Sequence, residues 1–229
     1  MVAGRVADDN RLAVAGLTPF TTIDFPNRLA AVVFCQGCPW RCGYCHNTHL
    51  QPRLGQSQRR WPEVLEWLAT RRGLLDGVVF SGGEPLLQHG LPQALADVRQ
   101  LGFAVGLHTA GIYPERLAAV LPALDWVGLD IKGPFEHYHQ ITRVGGADAA
   151  RASLSLVLNA GIDHELRCTV DTDLIDADAL SRLARQLASL GASRLVLQAC
   201  RHEGQATAVS PALVDAAAQH LPQVDVRFA

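Results

Sequence analysis

The stretch LAAVVFCQGCPWRCGYCHN, residues 29–47, joins two unlike halves. LAAVVF is short, apolar and rich in β-branched residues, the pattern of a strand buried on both faces. The second half gathers Cys38, Cys42 and Cys45 in a C-x3-C-x2-C spacing, just after Cys35-Gln36-Gly37. Parallel α/β folds build their sites at the C-terminal ends of strands, which is where this loop would sit. The stretch therefore poses one question about the fold and one about chemistry.

Five further runs of the same kind lie downstream: GVVFSGG (77–83), FAVGLHTAG (103–111), WVGLDIKG (126–133), HELRCTVD (164–171) and RLVLQAC (194–200). Between them, Trp61, Val64, Leu65 and Leu68 fall at helical spacing, as do Leu91, Ala94, Leu95 and Val98, and Leu180, Leu183, Leu187 and Leu190. Asp176 reads as an N-cap and Gly191 as a C-terminal stop. Gly161 closes a helix through Leu154, Val157 and Leu158, and Ser210-Pro211 opens a last one. Six strands alternating with helices predict a parallel sheet with right-handed crossovers. A doubly wound sheet fits that alternation. So does a partial (β/α)6 barrel, laterally open because it has fewer units than a closed (β/α)8 barrel. A single domain is expected over residues 16–229, with 1–15 as an N-terminal tail.

Composition narrows the function classes. The chain has 229 residues, 48% hydrophobic and 18% charged, with a formal net charge of −2. That balance is not the footprint of a nucleic-acid binder. No apolar run is long enough to span a bilayer, and MVAGRVADDNRLAVAG lacks a secretory pattern, so a cytoplasmic protein is expected. Six cysteines in such a chain are not a disulfide framework. Lys132 is the one lysine among 20 basic residues, which asks what arginine would not do at that place.

Structural zinc takes four ligands, often as two C-x2-C pairs, and no second pair is present; Cys168 and Cys200 stand alone on later strands. Cys35 is the fourth ligand in a zinc reading and otherwise an ordinary buried residue. A four-iron cluster normally takes four cysteines. Three would leave one iron open to a substrate or cofactor.

Three later strand ends carry further candidates. In SGGEP (81–85), Gly82 and Gly83 permit close backbone approach to a ligand or a positive φ, or simply make a turn. In LDIKGP (129–134), strand alternation puts Asp130 and Lys132 on one side and Leu129 and Ile131 on the other. The charged pair is then directed inward, where it binds something or pairs internally. In HELRCTV, Glu165, Arg167 and Thr169 share a face, with a Glu165–Arg167 structural interaction or a ligand role for Arg167 as the two readings.

The cysteine spacing, with Tyr44 before the last cysteine, resembles the radical S-adenosylmethionine (SAM) superfamily. There three cysteines hold a [4Fe-4S] cluster and SAM chelates the remaining iron. Cys45-His46-Asn47, GLTPFTTIDFPNRLAAVVF, SGGEP and DIKGP together resemble the anaerobic ribonucleoside-triphosphate reductase activating protein family, which belongs with the pyruvate formate-lyase activases. The resemblance runs from about residue 16 to about residue 198. It implies Cys38, Cys42 and Cys45 as cluster ligands. It also implies Tyr44, His46, Gly82, Gly83, Glu84, Thr109, Asp130, Ile131, Lys132 and His202 around SAM, with Asp130 and Lys132 at the reacting centre. Related activases often carry Asp-Thr where this chain has His108-Thr109; a neutral imidazole is a poor ligand for a hard monovalent cation, so whether that family's cation site carries over stays open, and His108 also reads as an inward-facing, satisfied histidine.

The implied activity is reductive cleavage of SAM to a 5′-deoxyadenosyl radical that generates a glycyl radical on a partner enzyme. No auxiliary cluster motif is present, which implies an external, flavodoxin-like electron donor. Two other classes stay open: a radical SAM enzyme acting on a small molecule or RNA, and a non-catalytic metal-binding module.

Overall fold

The computed structural model describes residues 12–53, 59–202 and 205–227, with backbone alone at 201–202 and 205–206. Its strands are β1 (Val14–Thr21), β2 (Ala30–Cys35), β3 (Gly77–Gly82), β4 (Ala104–Thr109), β5 (Trp126–Asp130), β6 (Asp163–Val170), β7 (Arg194–Ala199), the two-residue β8 (Arg201–His202) and β9 (Gln205–Ala206), and β10 (Gln223–Arg227). The helices are α1 (Trp61–Ala69), α2 (Leu91–Gln100), α3 (Pro114–Val120), α4 (Tyr138–Thr142), α5 (Ala147–Asn159), α6 (Ala177–Ser189) and α7 (Pro211–Ala218).

The six expected strands, β2 to β7, lie side by side in chain order and all run parallel. Two more complete an 8-stranded sheet: β1 joins β2 antiparallel and β10 joins β7 parallel. β1 and β10 are the two edges and do not pair with each other, so the curled sheet stays open. Within the stretch expected as tail, Leu12 is buried and Val14 pairs with Cys35. No helix among the described residues is long and apolar enough to cross a membrane.

Alternation along the strands sorts the interior into two compartments. Ala31, Val33, Val78, Phe80, Val105, Leu107, Val127, Leu129, Leu166, Leu195 and Leu197 face outward into a large core with the helices. α6 shows how a helix joins it. Asp176 caps its start by accepting from the Ala179 N–H at 2.7 Å, Leu180, Leu183 and Leu187 are fully buried, and Gly191 follows its end at φ +96°. The opposite faces of the strands line a lumen. Its lower end is plugged by Phe25, Ala30, Val32, Val79 and Trp126. Above this plug the inward residues turn polar: Ser81, His108, Asp130, Arg167, Thr169 and Gln198 all line the same cavity. The fold thus provides a dry floor and a polar upper storey at the C-terminal strand ends.

Candidate functional site

The cysteine loop forms the roof of this cavity, and the backbone explains how it is held. Gly37 donates to the Leu50 carbonyl at 2.7 Å and Cys38 to the Gln51 carbonyl at 3.0 Å. The end of β3 clasps the loop from below: Gly83 donates to Cys35 at 2.9 Å and Glu84 to Gly37 at 2.8 Å. That approach depends on the glycines. Gly82 adopts φ +114°, and a Cβ at either position would collide with backbone, of Cys35 at Gly82 and of Gly37 at Gly83. On the far side, Arg41 donates its amide to the Thr142 carbonyl at the end of α4, at 2.9 Å.

The cavity is about 410 Å³ and brings together most of the residues singled out in the sequence: Cys38, Cys42, Tyr44, Cys45, His46, Gly82, Gly83, Thr109, Asp130 and Lys132. The three thiols are half-buried, whereas Cys35, Cys168 and Cys200 are fully buried. Burial pushes the Cys38 thiol up to about 11, with the backbone amide of Trp40 opposing it, and also raises Cys42. Among the described residues no three His, Cys, Asp or Glu side chains converge on one point that would hold a single metal ion. Three cysteines lining one cavity suit a [4Fe-4S] cluster, which takes each cysteine on a different iron. Cys35, sealed beneath the loop, is no fourth ligand. Cys38, Cys42 and Cys45 therefore fit the cluster that the donor set implies.

Asp130 and Lys132 face the lumen as alternation predicts and lie 3.3 Å apart. Burial opposes the Lys132 charge, but Asp130, Tyr44 and Cys42 outweigh it and hold the ammonium well above its usual range. For Asp130, burial is likewise overcome, by Lys132 and Arg167, and the carboxyl is lowered. Lys132 Nζ also sits 5.8 Å from the Tyr44 ring centroid, linking β5 to the cysteine loop. The Tyr44 hydroxyl is buried and has no hydrogen-bond partner among the described residues.

Two expected contacts lie elsewhere. The Ile131 side chain is fully buried in the outer core, and its amide donates to the Arg167 carbonyl at 2.7 Å. Glu84 is buried beneath the cavity and does not line it. Its carboxylate accepts from Thr109 Oγ1 at 2.7 Å, Ala110 N at 3.0 Å and Leu86 N at 3.1 Å. Burial pushes Glu84 up to about 6 against these three donors. It ties the end of β3 to the end of β4. The His202 side chain lies outside the described residues.

Sequence reasoning missed Asp24, Phe34, Ser81, Gln198 and Arg227 as lining residues. Ser81 and Gln198 carried a usable signal, since each stands on the inward period of a strand already identified. Asp24 lies on the turn between β1 and β2 and Arg227 ends β10, and the sequence pattern marks neither edge strand. The Glu165–Arg167 interaction is present at 2.6 Å, and Arg167 also lines the cavity. His108 contacts Ser81 Oγ at 3.3 Å and the Asp24 carbonyl at 2.9 Å, so it is satisfied as expected. Burial and the nearby Arg167 cation bring its pKa down to about 4, leaving a neutral ring. A monovalent cation would have to sit beside that ring and Arg167, 3.2 Å from it.

The comparisons agree with this geometry. The Radical SAM superfamily profile matches residues 32–195. The pyruvate formate-lyase-activating enzyme of Clostridium pasteurianum is 33% identical over 167 residues, 68% of this chain and 67% of that one. A protein of Methanocaldococcus jannaschii, named provisionally as a glycyl-radical enzyme activating enzyme, is 31% identical over 135 residues, 57% of this chain and 54% of that one. PqqA peptide cyclase of Gluconobacter oxydans is 30% identical over 73% of this chain and 48% of that one. The chain thus spans between about half and two thirds of the length of these relatives. Among solved structures, QueE from Escherichia coli superposes with a TM-score of 0.60 at 17% identity, covering 96% of this chain and 95% of that one. Streptococcus suis SuiB bound to S-adenosylmethionine gives 0.65 at 11% identity, covering 85% and 48%. The chain belongs to the radical SAM superfamily and is related within it to the glycyl-radical-enzyme activating enzymes.

Proposed function

We propose that this chain is a glycyl-radical-enzyme activase whose partner is an anaerobic ribonucleoside-triphosphate reductase. The observation that carries the chemistry is the single cavity lined at once by three thiols, by Gly82-Gly83 and by the Asp130–Lys132 pair. The choice of a protein partner rests on the activase relatives and on the open sheet edge between β1 and β10.

A [4Fe-4S] cluster and SAM, when bound, supply one-electron reductive cleavage and hydrogen-atom abstraction. The chain supplies the rest. Cys38, Cys42 and Cys45 hold the cluster. Gly82 and Gly83 present backbone at the cavity wall, Asp130 and Lys132 fix the charged end of SAM, and the apolar plug excludes water from below. His46 and Thr109 line the same wall. No side chain is needed as a general acid or base. The electron comes from a flavodoxin-like donor, and the partner presents its glycine from an extended loop at the cavity mouth.

The test is electron paramagnetic resonance on the partner after anaerobic mixing with reconstituted protein, SAM and reductant. The expected result is a glycyl radical that requires all components. A second reading, modification of a short peptide, is favoured by the relation to PqqA peptide cyclase. SAM cleavage without any glycyl radical in a competent partner would favour that second reading.

A further inference from the structure

Three cations line the cavity among the described residues: Lys132, Arg167 and Arg227. Lys132 is matched by Asp130, and Arg227 donates to Glu165 Oε2 at 2.9 Å. Arg167 is the uneven one. It is 4% exposed, its Nε donates to Glu165 Oε1 at 2.6 Å, and its guanidinium carbon lies 5.0 Å from the Trp126 ring centroid. Its Nη2 has no hydrogen-bond partner among the described residues. Gly128 leaves room for this placement, since a Cβ there would come within 2.9 Å of the guanidinium carbon.

What remains to Nη1 depends on His108. Its Nε2 is 2.9 Å from the Asp24 carbonyl and 3.2 Å from Arg167 Nη1. The carbonyl can only accept, so the neutral ring carries its proton on Nε2, and Nδ1 accepts from the Ser81 hydroxyl at 3.3 Å. Nε2 and Nη1 are then both donors, and neither satisfies the other. The other tautomer would satisfy Nη1 but set the ring lone pair against the Asp24 carbonyl. The charged groups around the ring are Asp24 on the β1–β2 turn, Asp130 on β5 and Arg167 on β6.

We propose that His108 is a positioning residue that keeps the buried Nη1–Nη2 edge of Arg167 unpaired, ready for a carboxylate bound in the cavity. A guanidinium edge takes a carboxylate in a two-pronged geometry. An acidic residue at position 108 would take that edge for itself, whereas a ring whose near nitrogen donates leaves it free. The carboxylate has two sources, SAM itself or an acidic group of the substrate. The inference rests on the reading of this cavity as a SAM site.

The test compares His108→Asn with His108→Asp in anaerobically reconstituted protein. The two replacements are nearly isosteric, so losses in packing are common to both and their difference isolates the charge. Calorimetric titrations use SAM, decarboxylated SAM, and glutarate as a free carboxylate, the last with and without SAM. For a charge-assisted contact, the Asp variant is expected to bind the relevant carboxylate about tenfold more weakly than the Asn variant. A difference seen with SAM but not with decarboxylated SAM assigns the carboxylate to SAM. A difference seen with glutarate assigns it to the substrate. Equal affinities of the two variants for both SAM and glutarate, or wild-type protein that takes up neither, would overturn the proposal. A wild type that binds glutarate with the Asp/Asn difference but binds no SAM would instead sink the functional reading while leaving the role of His108 intact.

Discussion

At the scale of single residues, the buried charges set the sharpest expectations. Lys132 lies between Asp130 at 3.3 Å and the Tyr44 ring, where a compact ammonium and a planar guanidinium fork are not interchangeable. Lys132→Arg is therefore expected to lower SAM affinity about tenfold or more by calorimetry, the scale of a lost charge-assisted contact. Wild-type affinity would show that the lone lysine has no such role. Glu84 gives a pH signature. Its pKa is raised to about 6 in the fold, above the usual carboxylate value, so the folded state holds this proton more tightly than the unfolded chain. The stability that this group contributes is full at low pH and is lost as pH rises through about 6, a cost on the order of 2 kcal/mol. The difference in melting temperature between pH 5.5 and pH 7.5 is expected to shift in favour of the higher pH in Glu84→Gln relative to wild type. An unchanged difference would mean that Glu84 does not titrate in this window. Asp130 and Lys132 were legible as inward residues from strand period alone. The depth of Glu84 was not, because the Thr109 and Ala110 donors that bury it come from a different strand.

At the scale of elements, the clasp between β3 and the cysteine loop is where local sequence and site meet. Gly83→Ala would drive a methyl into the Gly37 backbone, which cannot give way as a flexible side chain would. The expected outcome is a displaced loop and much lower iron content after reconstitution, measured by iron analysis, in a variant that still unfolds in a cooperative thermal transition. Normal iron content would show that the clasp does not set the loop's position. On the outer face, Leu183→Ala in α6 empties a fully buried position and is expected to cost about 2–5 kcal/mol in denaturant unfolding, as for other core leucines. β2 to β7 and the main helices were readable because each is a continuous apolar run or a clean helical face. The edges were not. β1 (VAGLTPFT) contains a proline and register shifts against β2, and β10 (QVDVR) is short and only partly buried, so neither shows a strong pattern.

At the scale of the whole molecule, the sheet's incompleteness and the cysteine triplet point the same way. An open curled sheet leaves its lumen reachable from the side, and the lumen is apolar below and charged above, beneath a loop with three half-buried thiols. The superfamily was readable from the thiol spacing and the later strand ends, while the identity of a partner is a property of surfaces that a motif does not encode. The most direct measurement is 5′-deoxyadenosine formation by anaerobically reconstituted protein given SAM and a strong one-electron reductant, beside a Cys42→Ala control. Product is expected from the wild type and none from the control. Product formed equally by Cys42→Ala, or none from wild-type protein that carries its full cluster and binds SAM in the presence of its partner, would overturn the assignment of radical SAM chemistry to this cavity.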